Sequence, residues 1–311
     1  MFSIGSPALL KQVLQSKIAA VKKDVANTMK PFLVILGTGI VTSEDQAWLK
    51  QRLKMSQPLR QDVLEMIPRQ TLAAVQRLFN QMDQATASDK TIPIGSSLRH
   101  LTLQVISGTF LSLTADESDS TFARMYLPIV DESNIRVWHP YRAYLFMLPS
   151  FWLYLYHVWQ LNTYVSRLIR QRWQLRRREE EELASTQSTT RLQDILDKML
   201  AVYEKECINN TNNSSSSIPA VMSNAVVQQL RDEIKTFMLA GHETSAAMMT
   251  WTIYELLGNP TLFQDVAAEG QAVFQLPPDK NDWANATAND LPPPEELAKL
   301  VLSEACLKVC F

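Results

Sequence analysis

The stretch from Val226 to Leu257 constrains this chain most. It is the longest uninterrupted helical pattern, with Ile234, Phe237, Met238, Gly241, Thr244, Met248, Thr252 and Leu256 on one broad face. Other segments repeat apolar residues at the same spacing, and glycine is scarce, 8 of 311 residues against a usual ~7%. Folds built on tight turns, such as barrels, sandwiches and dinucleotide-binding sheets, need more. The expectation is a mainly α protein, a single helical domain over 1–311 built on that long central helix, with 46% apolar residues to fill its core.

Helices are expected from Ser6 to about Lys23, from Ser43 to the break before Pro58, from Leu59 to about Met82, and from Ser96 to about Leu113. Ser43-Glu44-Asp45-Gln46 reads as a capping box, and the polar run Asp83–Pro93 as a loop. Ala143–Leu161 has no Asp, Glu, Lys or Arg over 19 residues, near the ~20 that span a bilayer. Pro149 interrupts it, and its six aromatic residues from Phe146 to Trp159 suit an interface. Burial, or a face dipping into a membrane surface, is therefore preferred to a span. The block Arg167–Glu182 reads as a solvated helix face with Arg176–Glu180 and Arg178–Glu182 pairs. The Asn/Ser-rich segment 208–218 reads as an internal mobile loop, its glycosylation-type triplets chance products of composition.

A formal net charge of -2 gives no electrostatic case for a nucleic-acid partner. Cys207, Cys306 and Cys310 make no disulfide framework and no paired zinc spacing, which fits a reducing compartment. The beginning, MFSIGSPALLKQVLQ, has no basic leader and no apolar run of signal-peptide length, so neither a cleavable signal nor an N-terminal anchor is expected.

Ala240-Gly241-His242-Glu243-Thr244-Ser245 sits in the middle of the long helix. A glycine there costs roughly 1 kcal/mol against alanine, which wants a reason. Close approach of a large flat ligand is one. Thr244 can turn its hydroxyl onto the carbonyl of Ala240 and bend or open the helix, leaving room for a small molecule and an ordered water. Glu243 and Thr244 would then form a proton relay, the acid supplying protons and the alcohol positioning the oxygen species. On residue types alone the alternative stands that both are ordinary helix residues. His242-Glu243 is not a zinc-protease helix, because position 246 is alanine. Gly37-Thr38-Gly39 fails the dinucleotide fingerprint, no nucleophile elbow or phosphate loop is present, and His100, His139 and His157 lack ligand spacing.

AGHETS and its downstream run TWTIYELLGNPTLFQDVAAEGQAVF resemble the central oxygen-binding helix of cytochrome P450 monooxygenases. LGTGIVTSEDQAWLKQR resembles the family's G-x-G … W-x-x-x-R segment, and RLQDILDKMLAVYEK and GSPALLKQVLQ are similar to other stretches in the family's order. The resemblance implies a partial cytochrome P450 fold. It implies that Ala240 and Gly241 lie against haem b while Trp48 and Arg52 face a propionate, an indole N–H and a guanidinium both being good donors to a carboxylate. It also implies a small hydrophobic organic substrate, O2, and NADPH-derived electrons through a reductase or ferredoxin. Membrane association at the endoplasmic reticulum or a plastid goes with it.

The family's iron-ligand loop, Phe-x-x-Gly-x-Arg-x-Cys-x-Gly, does not occur in the sequence, nor does its Glu-x-x-Arg pair. LAKLVLSEACLKVCF approaches the latter and departs at Val309. The domain is therefore expected to be incomplete at both ends, with no metal ligand of its own. Two functions remain open: a haem monooxygenase by family, and a non-catalytic helical interaction or decoy product. An unrelated membrane-associated helical protein is a third.

Overall fold

The structure is a computed structural model and describes residues 5–15, 23–25, 29–59, 67–183, 194–210, 222–275 and 286–309. No strand occurs among them. The helices are α1 (Pro7–Gln15), α2 (Asp45–Ser56), α3 (Ile67–Ala87), α4 (Ile94–Leu111), α5 (Ala123–Trp138), α6 (Pro149–Leu183), α7 (Ile195–Asn210), α8 (Asn224–Gly258), α9 (Pro260–Val273) and α10 (Val301–Val309).

α8 is the organising element. Ser223 caps it, accepting the Val226 N–H at 3.3 Å, and Asn259-Pro260 ends it where proline withdraws a backbone donor. Its inner face packs most extensively on α4 and also on α6. The main core joins Leu103, Phe122, Tyr126, Val165, Ile169, Leu196, Met199, Leu230, Ile234 and Met238. A smaller apolar cluster, Ala74, Leu78, Leu98 and Leu101, holds α3 to α4 and reaches Met249 and Ile253 of α8.

Several expectations change. α3 runs on through Ala87, so the first residues of the expected 83–93 loop are helical, and the turn comes at Asp89 with φ +51°. The Ser43 capping box is not formed. The Ser43 hydroxyl donates to Gln51 Oε1 at 2.5 Å, and the cap position of α2, Glu44, makes no side-chain cap bond. Pro149 opens α6 instead of interrupting a helix, a position where a missing N–H costs nothing. Among the described residues no helix is long and apolar enough to cross a membrane. Residues 208–210 belong to the end of α7, and 211–218 of the expected Asn/Ser loop lie outside the described residues, as do residues 16–22 of the first expected helix.

The charged block is not simply a solvated face. Arg172 is buried and reaches Asp194 at 3.1 Å and Asp197 at 3.6 Å, while Arg176 turns to Glu204 at 3.0 Å. Asp194 also accepts the Ser112 hydroxyl at 2.7 Å and the Asp197 N–H at 2.8 Å. These long-range pairs clamp α6, α7 and the end of α4 together; the side chains of Glu180 and Glu182, on which the expected i,i+4 pairs depend, lie outside the described residues. Burial raises the Asp194 carboxyl above its ordinary range, with Asp197 adding to this against the pull of Arg172.

Gly37 and Gly39 have a packing reason. Gly37 has φ +49°, and a Cβ on either residue would run into Asp232 or Thr236 of α8. This close approach lets Asp232 accept the Thr38 N–H at 3.2 Å and Glu233 the Ile40 N–H at 3.0 Å. The loop that leads into α2 is thereby tied to the first half of α8.

Candidate functional site

Around its middle turn α8 presents two unlike faces. His242 and Ala246 are buried, whereas Ala240, Thr244, Ala247 and Trp251 are exposed. At helical spacing these four make a stripe of small side chains ending at an indole. The Thr244 hydroxyl donates to the Ala240 carbonyl at 2.7 Å, the back-bond expected from the sequence. The helix is not opened by it: α-helical structure runs unbroken from Asn224 to Gly258.

Gly241 is not on the exposed stripe. An added Cβ would lie 2.6 Å from Cδ1 and 3.1 Å from Cγ1 of Ile106 on α4. The close approach that this glycine permits is helix against helix, where the sequence pointed to a flat ligand.

Glu243 is held to the side of the stripe. Its Oε1 lies 2.6 Å from Arg99 Nη2, and the same nitrogen is 2.8 Å from Asp131 Oδ1. Burial works against the Arg99 charge, but hydrogen bonds and attraction from Asp131 and Glu243 outweigh it and hold its pKa above the ordinary value. His242 Nε2 is 3.7 Å from the Glu243 carboxylate, and its Nδ1 is 3.2 Å from the Met238 carbonyl. Burial pushes the His242 pKa down, against the attraction of Glu243. The Tyr126 ring meets His242 edge-on with centroids 5.2 Å apart. Burial holds the Tyr126 phenol well above its ordinary pKa. Neither the Tyr126 hydroxyl nor His242 Nε2 has a hydrogen-bond partner among the described residues.

Trp48 and Arg52 stand one turn apart on α2, with the guanidinium carbon 5.2 Å from the indole centroid. Arg52 is exposed, and no acceptor for it appears among the described residues. Lys23 lies 6.0 Å from the same ring and donates to the carbonyls of Val41 and Ser43 at 3.0 and 2.8 Å. No hydrogen bond, ion pair or ring contact among the described residues joins Trp48 or Arg52 to the Ala240–Thr244 turn. The two groups are related through the Gly37–Ser43 loop on α8.

The residues present suit the organic part of a haem. A stripe of small side chains accepts a flat face, and Arg52 has free donors for carboxylates. Among the described residues no group of three or more metal-ligating side chains occurs. The one cysteine whose side chain is described, Cys306, lines a different cavity with Leu256 and Leu302. Arg99, Asp131, Tyr126 and the role of His242 escaped the sequence reading. Arg99 precedes Glu243 by 144 positions, and no local pattern announces a pair at that separation. The histidine inside AGHETS lacks zinc-site spacing, and nothing local to it announces its edge-on contact with Tyr126.

Comparison with known proteins agrees with the helix order. A family profile described as Cytochrome P450 matches residues 1–291. Protein LUTEIN DEFICIENT 5, chloroplastic, of Arabidopsis thaliana is 22% identical over 87% of this chain and 43% of its own length. Cytochrome P450 4c21 of Blattella germanica is 23% identical over 88% of this chain and 52% of its own. The chain thus spans about half the length of these curated relatives. The crystal structure of a cytochrome P450, CYP102L1, superposes with a TM-score of 0.62 at 17% identity, covering 93% of this chain and 58% of that one. A second, the cytochrome P450DA heme domain, gives 0.61, also at 17% identity. On the family match, over most of its length, this chain belongs to the cytochrome P450 family.

Proposed function

We propose that this chain forms, as one helical domain, the oxygen side of a haem monooxygenase acting on a small hydrophobic organic substrate. NADPH-derived electrons would enter through a reductase or ferredoxin. The observation that carries the reading is the stripe Ala240–Thr244–Ala247, exposed at the middle turns of a helix whose opposite face, with Met238, His242 and Ala246, is buried. When bound, haem b would supply the redox and oxygen-activating chemistry.

The chain's own residues bind, orient and move protons. Ala240 carries only a methyl group and lets a flat ligand lie close to the helix. Trp48 and Arg52 donate to the ligand's carboxylates. Thr244 has its hydroxyl proton committed to the Ala240 carbonyl at 2.7 Å, so its oxygen is left to accept a hydrogen bond from a protonated ligand. Glu243 must leave Arg99 to bring a proton to that oxygen. Asp131 keeps the guanidinium paired meanwhile, which lowers the cost of the excursion. Gly241 supports the site through its packing on Ile106.

The test is coupling. In the haem-loaded chain reduced by NADPH through its redox partner, Thr244→Ser should keep product formed per NADPH consumed. Thr244→Val should lower it and release hydrogen peroxide. Unchanged coupling in Thr244→Val refutes the threonine's role, and no oxygen insertion above the haem-free control refutes the function.

A peripheral membrane contact belongs to the same reading. Trp138, Tyr141, Tyr144, Phe146, Met147, Trp152 and Trp159 are all exposed along the end of α5, the connection that follows and the first turns of α6. A run of exposed apolar side chains of that extent marks an interaction face, and its aromatic character suits the membrane–water boundary.

A further inference from the structure

We propose that α6 and α8 form a headgroup site for an anionic phospholipid at the upper edge of this aromatic face. The proposal rests on the membrane contact above and adds a charge-selective site to it. A cavity of about 540 Å³ lies between the two helices, lined among others by Trp159, Thr163, Arg167, Arg170 and Arg231. Its polar lining consists of guanidinium, amide and hydroxyl groups, with no carboxylate.

The arginines have donors to spare. Arg167 is exposed and makes no hydrogen bond or ion pair among the described residues. Arg170 uses one nitrogen on Asn224 Oδ1 at 3.0 Å, and Arg231 uses Nε on Asp232 at 3.3 Å. The remaining guanidinium N–H groups can take phosphate oxygens in the forked geometry that arginine favours.

Continuity with the aromatic face identifies the phosphate as a lipid's. Trp159 lines this cavity, stacks on Tyr156 with centroids 6.2 Å apart, and is 63% exposed. Down the same helix, Trp152 lies about 10 Å below Trp159, and Arg167 about 12 Å above it. Apolar tip, aromatic belt and arginines therefore follow the order of acyl chains, interface and headgroups.

Co-sedimentation of the full chain with vesicles of pure phosphatidylcholine, and of an equimolar mixture with phosphatidylserine, tests this. The chain should bind both and prefer the mixture. Arg167→Gln/Arg170→Gln should lose about 25-fold on the mixture, some fivefold per arginine, and nothing on phosphatidylcholine. Phe146→Ser/Met147→Ser should lose binding to both. Unaltered helicity by circular dichroism confirms that each variant folds. Equal binding of the unaltered chain to the two vesicle types overturns the headgroup site and leaves the membrane contact standing, whereas binding to neither overturns both. A preference that survives the arginine changes overturns the site. So does a preference abolished by inorganic phosphate at constant ionic strength, which would mark a free-phosphate pocket.

Discussion

Replacing Gly241 by alanine separates two explanations of the glycine in the central helix. Alanine gains roughly 1 kcal/mol of helix propensity at an interior position. Against this, its Cβ would sit 2.6 Å from Ile106 Cδ1 and 3.1 Å from Cγ1. The nearer atom is the end of a side chain and can swing away, at an off-rotamer cost of about 0.5–1.5 kcal/mol. The second contact is at the root of the side chain and requires α4 and α8 to part slightly. Overpacking of this kind costs about 1–3 kcal/mol. The net effect of Gly241→Ala alone is a loss of about 0–2 kcal/mol, too close to zero to be diagnostic. A double-mutant cycle removes the ambiguity. Ile106→Val deletes Cδ1 and leaves helix propensity at 241 untouched, so the propensity gain cancels. The expected coupling is about 1–2 kcal/mol, with alanine tolerated better opposite valine. Urea unfolding followed by circular dichroism, without haem, measures all four corners. Additivity within about 0.5 kcal/mol would refute the packing role. The glycine would then owe its place to a ligand on the exposed side.

Two further perturbations probe buried charge. Arg172→Met leaves Asp194, whose side chain is 0% exposed, facing Asp197 without its cation. The expected loss is about 3 kcal/mol, at the low end for a broken buried pair because Ser112 and the Asp197 N–H still donate; a loss under about 1 kcal/mol in urea would contradict the clamp. Burial, opposed by Asp232, lowers the Lys235 pKa from 10.5 to about 8. Between those values the unfolded chain holds a proton that the folded chain has released, so stability rises with pH there. From pH 8 to about 9.5 the chain should gain about 1.6 kcal/mol relative to Lys235→Met, the slope rising towards about 1.4 kcal/mol per pH unit once Lys235 has lost its proton. Equal pH slopes for the two proteins would show that Lys235 is not held neutral-prone by its surroundings.

Helix order and the back-bond of Thr244 were legible because both follow from short-range pattern: apolar spacing gives the first, a hydroxyl four residues past a carbonyl the second. The extents were less legible. Asp83–Ala87 is polar enough to read as a loop, yet α3 carries it on as an exposed helical end. Ser43 has the residue type of a cap, but Gln51 claims its hydroxyl first. Arg172 and Arg176 looked like members of a surface charge run, since nothing local reveals that Asp194, Asp197 and Glu204 return to meet them. The same limit hid Arg99 and Asp131 behind Glu243. Local rules place residues on a helix face; only the packing of α4, α5 and α8 shows which partner that face meets.

The most direct test of the account is a hemin titration of the 311-residue chain, followed by the Soret band and by quenching of tryptophan fluorescence. The account predicts saturable one-to-one binding, weakened at least tenfold by Ala240→Trp, which fills the stripe, and more mildly by Arg52→Ala, with helicity unchanged in both. Hemin that binds the Ala240→Trp variant as tightly as the unaltered chain, or that fails to saturate at all, would contradict the claim that the exposed face of α8 receives the cofactor.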